Sequence, residues 1–394
     1  MKVISMGMDL NTDFGHPSLL NGLWAGLNEC FDGVELTHYQ FSDVSDELKD
    51  SFEFTLVGLP ISYKELLLEY IKWKTVFNCR EDAHDFFVTI KNADIVVDPF
   101  GIRFCDKFCK GKSDFYNMIR YYCSEYMPFL IAHNMGKSIF KMAASYGNIG
   151  NLATKKSAIY MCDKIYTEVI SREQESKRQL TEIAGIKKNI PVSPDMANLI
   201  KVKTTKEKNL VGVSVSFQIE RQFSNPVDYV NFMVSFCKSI IAKYGVNVVL
   251  IPNQTLLDGL RDDFDIANQI YESMTEQHFN VSVLEKNNLN AEKIKKVISS
   301  CEVLVGSRYH SCVAALSSGV PVLVLGWHHK YTELLDIYGQ SGDIIDVKNF
   351  DLQMFIKKFD YVWANKEEKA KIIEDNIPKV SKRVIDIMRS LLKP

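Results

Sequence analysis

At 394 residues the chain exceeds the length at which one hydrophobic core stops growing, so two domains of about 200 residues each are expected. With 46% hydrophobic and 24% charged residues it has the composition of a globular protein, and 47 Lys and Arg against 49 Asp and Glu leave a net charge of −2. That balance excludes a global pull toward nucleic acid or an anionic membrane, so any anion must be caught by a local group of cations. Nine cysteines are an odd number in a chain too large to need stapling, and their scatter reads as reduced thiols. Cys105, Cys109 and Cys123 lie in an aromatic-rich segment near helical spacing, which reads as packing rather than metal ligation.

The chain opens on the strand-like MKVISMGM, without a basic segment leading into an apolar one, and no run of 18 apolar residues follows. A cytoplasmic protein is expected, with peripheral contact at the inner membrane surface compatible with that reading. Short β-branched runs then alternate with amphipathic stretches, the pattern of parallel strands joined by crossover helices. In the first half, strands are expected at Val3–Met8, Val34–Tyr39, Phe54–Leu59, Asp94–Asp98, Phe129–His133 and Ile165–Ile170. Helices are expected at Pro17–Glu29, Tyr63–Lys74, Asp106–Tyr126 and Arg172–Ile183.

The polar stretch Pro191–Asn209, with two prolines and KVKTTKEKN, reads as an interdomain bridge. The alternation restarts beyond it, with strands at Leu210–Val215, Val246–Ile251, Val281–Leu284, Val303–Val305 and Val322–Leu325. Its helices are placed near Val227–Lys243, Asp262–Thr275, Ala291–Ser300 and Ser311–Ser317. The expected fold is α/β, two Rossmann-like doubly wound domains in a GT-B-type arrangement with a cleft between them. Residues 1–200 form the first domain and 206–394 the second, with helices after Lys348 returning toward the first. In such sheets ligands sit beyond the carboxyl ends of the strands, so residues just after strands carry the functional weight.

The richest segment is CEVLVGSRYHSCVAALSSGVPVLVLGWHHKY, Cys301–Tyr331, a strand, turn, helix and strand. Gly306 permits a sharp exit and Ser307 is a plausible N-cap, which places Arg308, Tyr309 and His310 in the first helical turn. Helix N-termini hold anions, and Arg308 adds a forked donor for phosphate or carboxylate. His310 beside that anion is suited to moving a proton at neutral pH; the plainer alternative is a histidine that caps or packs. Lys330, past the end of the next strand in Trp327-His328-His329-Lys330, supplies a compact charge or is merely solvated. Adjacent His328 and His329 project apart and no third ligand has recognisable spacing, so no metal site is expected.

Arg172 follows the strand in KIYTEVIS, where it either faces the interdomain gap or pairs with Glu175 or Glu168. The stretch Ser145–Asn151 only loosely resembles a phosphate loop, lacking GxxxxGK[ST] and a GxGxxG after a strand. Asp9, Asn11, Asp13 and His16 follow the first strand, where they serve as acceptor-sugar partners or as simple turn chemistry.

Four pieces in order, AASYGNIG, IYTEVISREQES, VSPD and GSRYHSCVAALSSGVPVLVLGWHHKY, resemble the polysaccharide pyruvyl transferase family, whose bacterial and yeast members install pyruvate ketals on cell-wall and capsular sugars. The last piece is the most specific, with Arg-aromatic-His, a small-residue helix, Gly-Val-Pro, a strand and a lysine. DPFG at Asp98–Gly101 and Asn148 depart from the family pattern.

The resemblance implies that Arg172, Arg308, His310 and Lys330 surround phosphoenolpyruvate, with Ser307 and Tyr309 beside them. His310, Arg172 and Lys330 are then the catalytic set. It further implies a glycan or lipid-linked saccharide acceptor, no cofactor beyond the donor substrate and no nucleic acid. No motif fixes an oligomeric state. A nucleotide-sugar glycosyltransferase of the same fold and a non-catalytic sugar-binding protein are the alternatives, since fold alone does not choose the donor.

Overall fold

The computed structural model of the chain describes residues 1–394 apart from 12, 76–77, 110–112, 123, 256–259, 277–278, 287–288, 327–328, 349–350 and 394. Two compact units emerge, one of Met1–Asn11, Leu19–Met196 and Arg383–Pro394, the other of Thr12–Ser18 and Ala197–Lys382. A single cut between residues 200 and 206 describes neither, because each unit takes in a short segment from the far side of the linker.

The first unit holds β1 (Lys2–Met6), β2 (Glu35–Gln40), β3 (Thr55–Gly58), β4 (Ile95–Asp98), β5 (Ile102–Cys105), β6 (Ile139–Gly147) and β7 (Glu168–Ser171). All pair in parallel, in the order β3-β2-β1-β4-β6-β5, with β7 also on β6. Strand β6 is buried at all nine positions, as a strand covered on both faces must be. Phe86, Phe87 and Phe129 sit in the core of this unit. The helix Lys366–Leu391 ends in it, where Arg383 donates to the Val192 carbonyl (2.7 Å) and Arg389 to that of Glu29 (2.9 Å).

The second unit holds β8 (Leu210–Ser214), β9 (Asn247–Leu250), β10 (Val281–Val283), β11 (Val303–Gly306), β12 (Val322–Gly326) and β13 (Ile344–Asp346). Their order, β10-β9-β8-β11-β12-β13, is the doubly wound 3-2-1-4-5-6 pattern with its switch point between β8 and β11. Apolar clusters cover both faces, one centred on Phe236 and Phe355, the other on Val313 and Leu335.

Local signals account for most helix ends. Asn225 caps the helix Pro226–Tyr244, and Gly245 closes it with φ +64°. Asp262 and Asp265 form a reciprocal capping box at Asp263–Thr275.

Several expectations are corrected. Phe129–His133 is not a strand but lies within the helix Met127–Asn134, while β5 and β6 fall in two stretches to which no element was assigned. The expected helix Asp106–Tyr126 resolves into a 3₁₀ turn at Asp106–Phe108 and a helix at Asp114–Tyr122. The helix after Arg172 starts at Gln174. Cys123 lies outside the described residues, and the other eight cysteines are free thiols. Among the described residues, no helix is long and apolar enough to cross a membrane.

Candidate active site

At the switch point of the second sheet, β11 ends at Gly306 and the helix Tyr309–Leu316 begins after two intervening residues. The helix can come that close because Gly306 has no side chain. A Cβ there would stand 2.5 Å from the Cys312 sulfur. The N-cap is Arg308 in extended geometry, not Ser307. Ser307 instead donates its N–H to the Ser214 carbonyl (3.1 Å), and its own carbonyl accepts from the Tyr331 hydroxyl (3.1 Å). One turn in, Ser311 ties the helix to two neighbouring strand ends, meeting the Ser214 hydroxyl at 2.9 Å and accepting from Asn253 Nδ2 at 2.8 Å.

Arg308 is held rather than left to sway. Its Nε donates to Asp263 Oδ2 (2.8 Å), its Nη2 to Asp263 Oδ1, and its Nη1 to Gln254 Oε1 (2.8 Å). The guanidinium also stacks over Phe217, 4.7 Å from the ring centre. Burial opposes the charge, but Asp263 outweighs it and holds the group protonated. Of the five N–H donors of an arginine, three are committed here among the described residues, which leaves two for an anion. Asp263 is fixed in turn by the N–H groups of Phe217 (2.9 Å), Gln254 (3.1 Å) and Asn253 (3.3 Å).

His310 sits in the first helical turn, its ring edge-on to Tyr309 with centres 5.6 Å apart. It packs against the segment Thr12–Ser18, which belongs to this unit and not to the first. The Phe14 N–H bonds the Asn253 carbonyl (3.2 Å) to anchor that segment. Asp13 accepts from the Gly15 N–H (2.7 Å) and lies beside His310. Burial pushes the Asp13 carboxyl up, yet His16, His310, Arg308 and the Gly15 N–H together hold it below the usual carboxylate range. Lys330, in the helix His329–Ile337, places its Nζ 5.4 Å from the ring centres of both Tyr309 and Tyr331. His328 and Trp327 lie outside the described residues.

Thus Ser307, Arg308, Tyr309, His310 and Lys330 share one unit with Asp13 and His16. Asp9 and Asn11 belong to the other unit. In the first unit, Asp9 accepts from the Asn11 N–H (2.8 Å) and the Ser42 hydroxyl (2.7 Å), and Asn11 donates to the Asp43 carbonyl (3.1 Å).

Arg172, also in the first unit, follows β7 and is caged. Its Nε donates to Glu173 Oε1 (2.9 Å), Nη1 to Asp195 Oδ2 (2.6 Å) and Nη2 to the Ser145 hydroxyl (2.5 Å). Its partners are therefore Glu173 and Asp195; Glu175 pairs with Arg178 instead. These bonds join three of the four sequence pieces, since Ser145 lies in AASYGNIG, Asp195 in VSPD and Arg172 in IYTEVISREQES. The N–H groups of Gly150 and Asn151, where a phosphate loop was loosely suggested, both donate to Asp106 Oδ2 (2.8 and 3.0 Å). A carboxylate of the chain thus occupies the place a phosphate would need.

Sequence reasoning did not single out Asp263, Asn253 or Ser311, whose roles depend on strand ends far apart in the chain. The one local sign was the N-cap pattern of Asp262 and Asp265 that flanks Asp263.

The profile of the polysaccharide pyruvyl transferase family matches residues 20–329, a span containing Arg172, both Arg308 and His310, and most of both sheets. The chain belongs to the polysaccharide pyruvyl transferase family. Among solved structures, Anabaena HepE in complex with UDP and glucose superposes with a TM-score of 0.60 at 11% identity, covering 99% of this chain and 97% of that one. The S. aureus MnaA–UDP structure gives 0.60 at 10% identity, covering 99% and 96%. The UDP-GlcNAc 2-epimerase of Neisseria meningitidis bound to UDP-GlcNAc gives 0.55 at 13% identity, covering 99% and 100%. These likenesses establish two Rossmann-like domains of the GT-B type for this pyruvyl transferase family member. A search of curated protein sequences returns no significant match.

The packing of His310 on Gly15 yields a direct test. A Cβ on Gly15 would stand 2.1 Å from His310 Nδ1 and 2.8 Å from Asp13 Oδ1, so alanine must displace one of them. Gly15→Ala is expected to leave the melting temperature nearly unchanged while reducing turnover by about 10²-fold, the effect of a misplacement near 1 Å. Unaltered turnover would show that His310 is not held against this segment during catalysis.

Proposed function

We propose that this family member transfers the pyruvyl unit of phosphoenolpyruvate to two hydroxyls on a sugar of a cell-surface polysaccharide, capsule or exopolysaccharide, or of its lipid-linked precursor. Family membership supports the transferase class. The observation that carries the donor is the pairing of a clamped Arg308 with His310 at the start of one helix, beside the ionised Asp13. Phosphoenolpyruvate bears a phosphate and a carboxylate, both of which need fixed cations. Arg308 offers its remaining N–H groups, the helix its positive end, and Lys330 a compact charge held over two aromatic rings. Arg172 enters the proposal as an anion-holding residue of the first unit, and Asp9 and Asn11 as acceptor contacts.

In the reaction, a proton passes from His310 to the methylene carbon of phosphoenolpyruvate, which becomes a methyl group and leaves an oxocarbenium-like centre at C2. One sugar hydroxyl adds to C2. The second displaces phosphate and closes the ketal. Of the two hydroxyl protons, one replaces the proton given to carbon and the other departs with phosphate. Asp13 is a positioning residue whose carboxylate lies beside His310 against Gly15. Since side-chain cations neutralise the donor, no metal ion or cofactor enters the scheme. The site of action is the cytoplasm, at the inner membrane face when the acceptor is lipid-linked.

The solved neighbours crystallised with UDP or its sugars make a nucleotide sugar the rival donor. Phosphoenolpyruvate at 100 times its dissociation constant is expected to stabilise the fold by about 2.7 kcal/mol, read as a raised melting temperature, with UDP-sugars inert. Phosphate release should need a glycoside or lipid-linked acceptor and persist in EDTA. Stabilisation by UDP-sugars alone would replace this proposal with the glycosyltransferase reading, and loss of turnover in EDTA would overturn the metal-free scheme.

A further inference from the structure

The helix Asp114–Tyr122 in the first unit is inserted with its apolar side outward. At helical spacing, Phe115 and Ile119 fall on one face with Tyr116 at its margin, and they are 73%, 47% and 42% exposed respectively. The buried residues are Asn117 and Tyr121, the latter with its hydroxyl 3.5 Å from the Cys109 sulfur. A soluble helix normally does the reverse. The exposed face continues onto the neighbouring helix Leu152–Tyr160, because Tyr122 packs edge-on against Tyr160 with ring centres 5.5 Å apart. There Leu152, Lys156 and Tyr160 form an i, i+4, i+8 stripe, exposed at all three positions, with Lys164 just beyond.

The charge at this face is basic along its second helix. Residues 152 to 165 have Lys155, Lys156 and Lys164 against Asp163, in a chain whose net charge is −2, while Lys107 and Arg120 offset Asp106 and Asp114 beside the first helix. Exposed aromatic rings rimmed by lysines match a bilayer whose apolar boundary lies beneath anionic headgroups. A second copy of this chain would bring like charges together at the same rim.

We infer that the face formed by Phe115, Tyr116, Ile119, Leu152 and Tyr160 is a docking surface for an anionic phospholipid bilayer. It gives a physical place to the lipid-linked acceptor of the reading above, and it rests on that reading only for its biological use. Its test measures membrane partition and not phosphate release, so the two fail separately.

The full chain is sedimented with vesicles of phosphatidylcholine alone and of phosphatidylcholine with phosphatidylglycerol. Binding to the anionic vesicles only, weakening as salt is raised, is expected. Phe115→Asp with Ile119→Asp should cut the partition coefficient by roughly tenfold or more, the loss of two apolar anchors from the interface. Both positions are exposed, and a melting curve confirms that the fold is kept. Equal binding to both vesicle types, no binding, or unaltered binding by the double variant would overturn the inference. So would sedimentation-velocity evidence of a dimer that the double variant dissolves, because the face would then join copies of this chain.

Discussion

Replacing His310 by alanine is expected to lower kcat for acceptor-dependent phosphate release by roughly 10²–10⁴-fold, the span of a lost general acid or base. Donor binding should be largely kept, since the groups proposed to hold the anion are Arg308, Lys330, Arg172 and the helix start. Arg308→Ala should instead damage binding as well as rate, and it also leaves the buried Asp263 carboxylate without its cation. Because Asp13 is held below the usual carboxylate range, it stays ionised across neutrality. A pH dependence of kcat between about pH 5 and 8 therefore reports a histidine. Asp13→Asn should move that dependence while preserving the fold, which a purely structural role would not do. A folded His310→Ala enzyme with near-normal kcat would give the proton to another group, with His329 the next to be examined.

The largest expected loss of stability lies elsewhere, in the first unit. Asp98 is fully buried and accepts from Arg103 Nε (3.1 Å), the Tyr166 hydroxyl (2.7 Å) and the Phe100 N–H (3.0 Å), with Lys141 Nζ at 3.5 Å. Burial works against its charge, but Arg103 and Lys141 outweigh that and keep the carboxyl low. Burial lowers Lys141 to about 8, so Asp98 is what keeps that amine charged. Removing Asp98 would leave the buried Lys141 amine without a carboxylate and Arg103 with Glu125 alone, a loss of roughly 3–5 kcal/mol. Asp98→Ala should show this as a lowered urea midpoint for the transition of the first unit. The sign with pH follows from the depressed carboxyl. Its contribution is present above the unfolded carboxylate pKa of about 3.9 and disappears as pH falls through the lower folded value. A variant losing less than about 1 kcal/mol would mean that water or relaxation compensates these charges.

That cluster also shows where the sequence misleads. Strand β6 contains Lys141, Ser145 and Tyr146, which break any apolar alternation, and their partners Asp98, Glu173 and Ser176 lie 28 or more residues away in the chain. A buried strand with internal polar groups therefore looks like a loop. The run MPFLIAHN errs the other way. It is apolar on nearly all sides, so neither the helical nor the strand period is visible and its length alone cannot decide.

The second unit was more readable. The helix Ala291–Ser300 has a clear amphipathic stripe and an Asn290 cap, and the turn at Gly306 carries its own signals. The same contrast divides the candidate site. Arg308 and His310 stand out in one strand-turn-helix segment. The companionship of Asp13 with His310 depends on a segment placed nearly 300 residues earlier, for which no local pattern exists.

The return of Arg383–Pro394 to the first unit bears on the order in which the molecule matures during synthesis. Val384, Met388 and Leu392, each at most 1% exposed, fill the interior of a unit whose other residues left the ribosome long before. That unit must wait, partly open, for residues 383–394. The second unit needs only Thr12–Ser18, already made, and the stretch through Lys382, so it can close first. Completion thus runs opposite to translation, and the half made earlier spends the longest time with its interior incompletely packed.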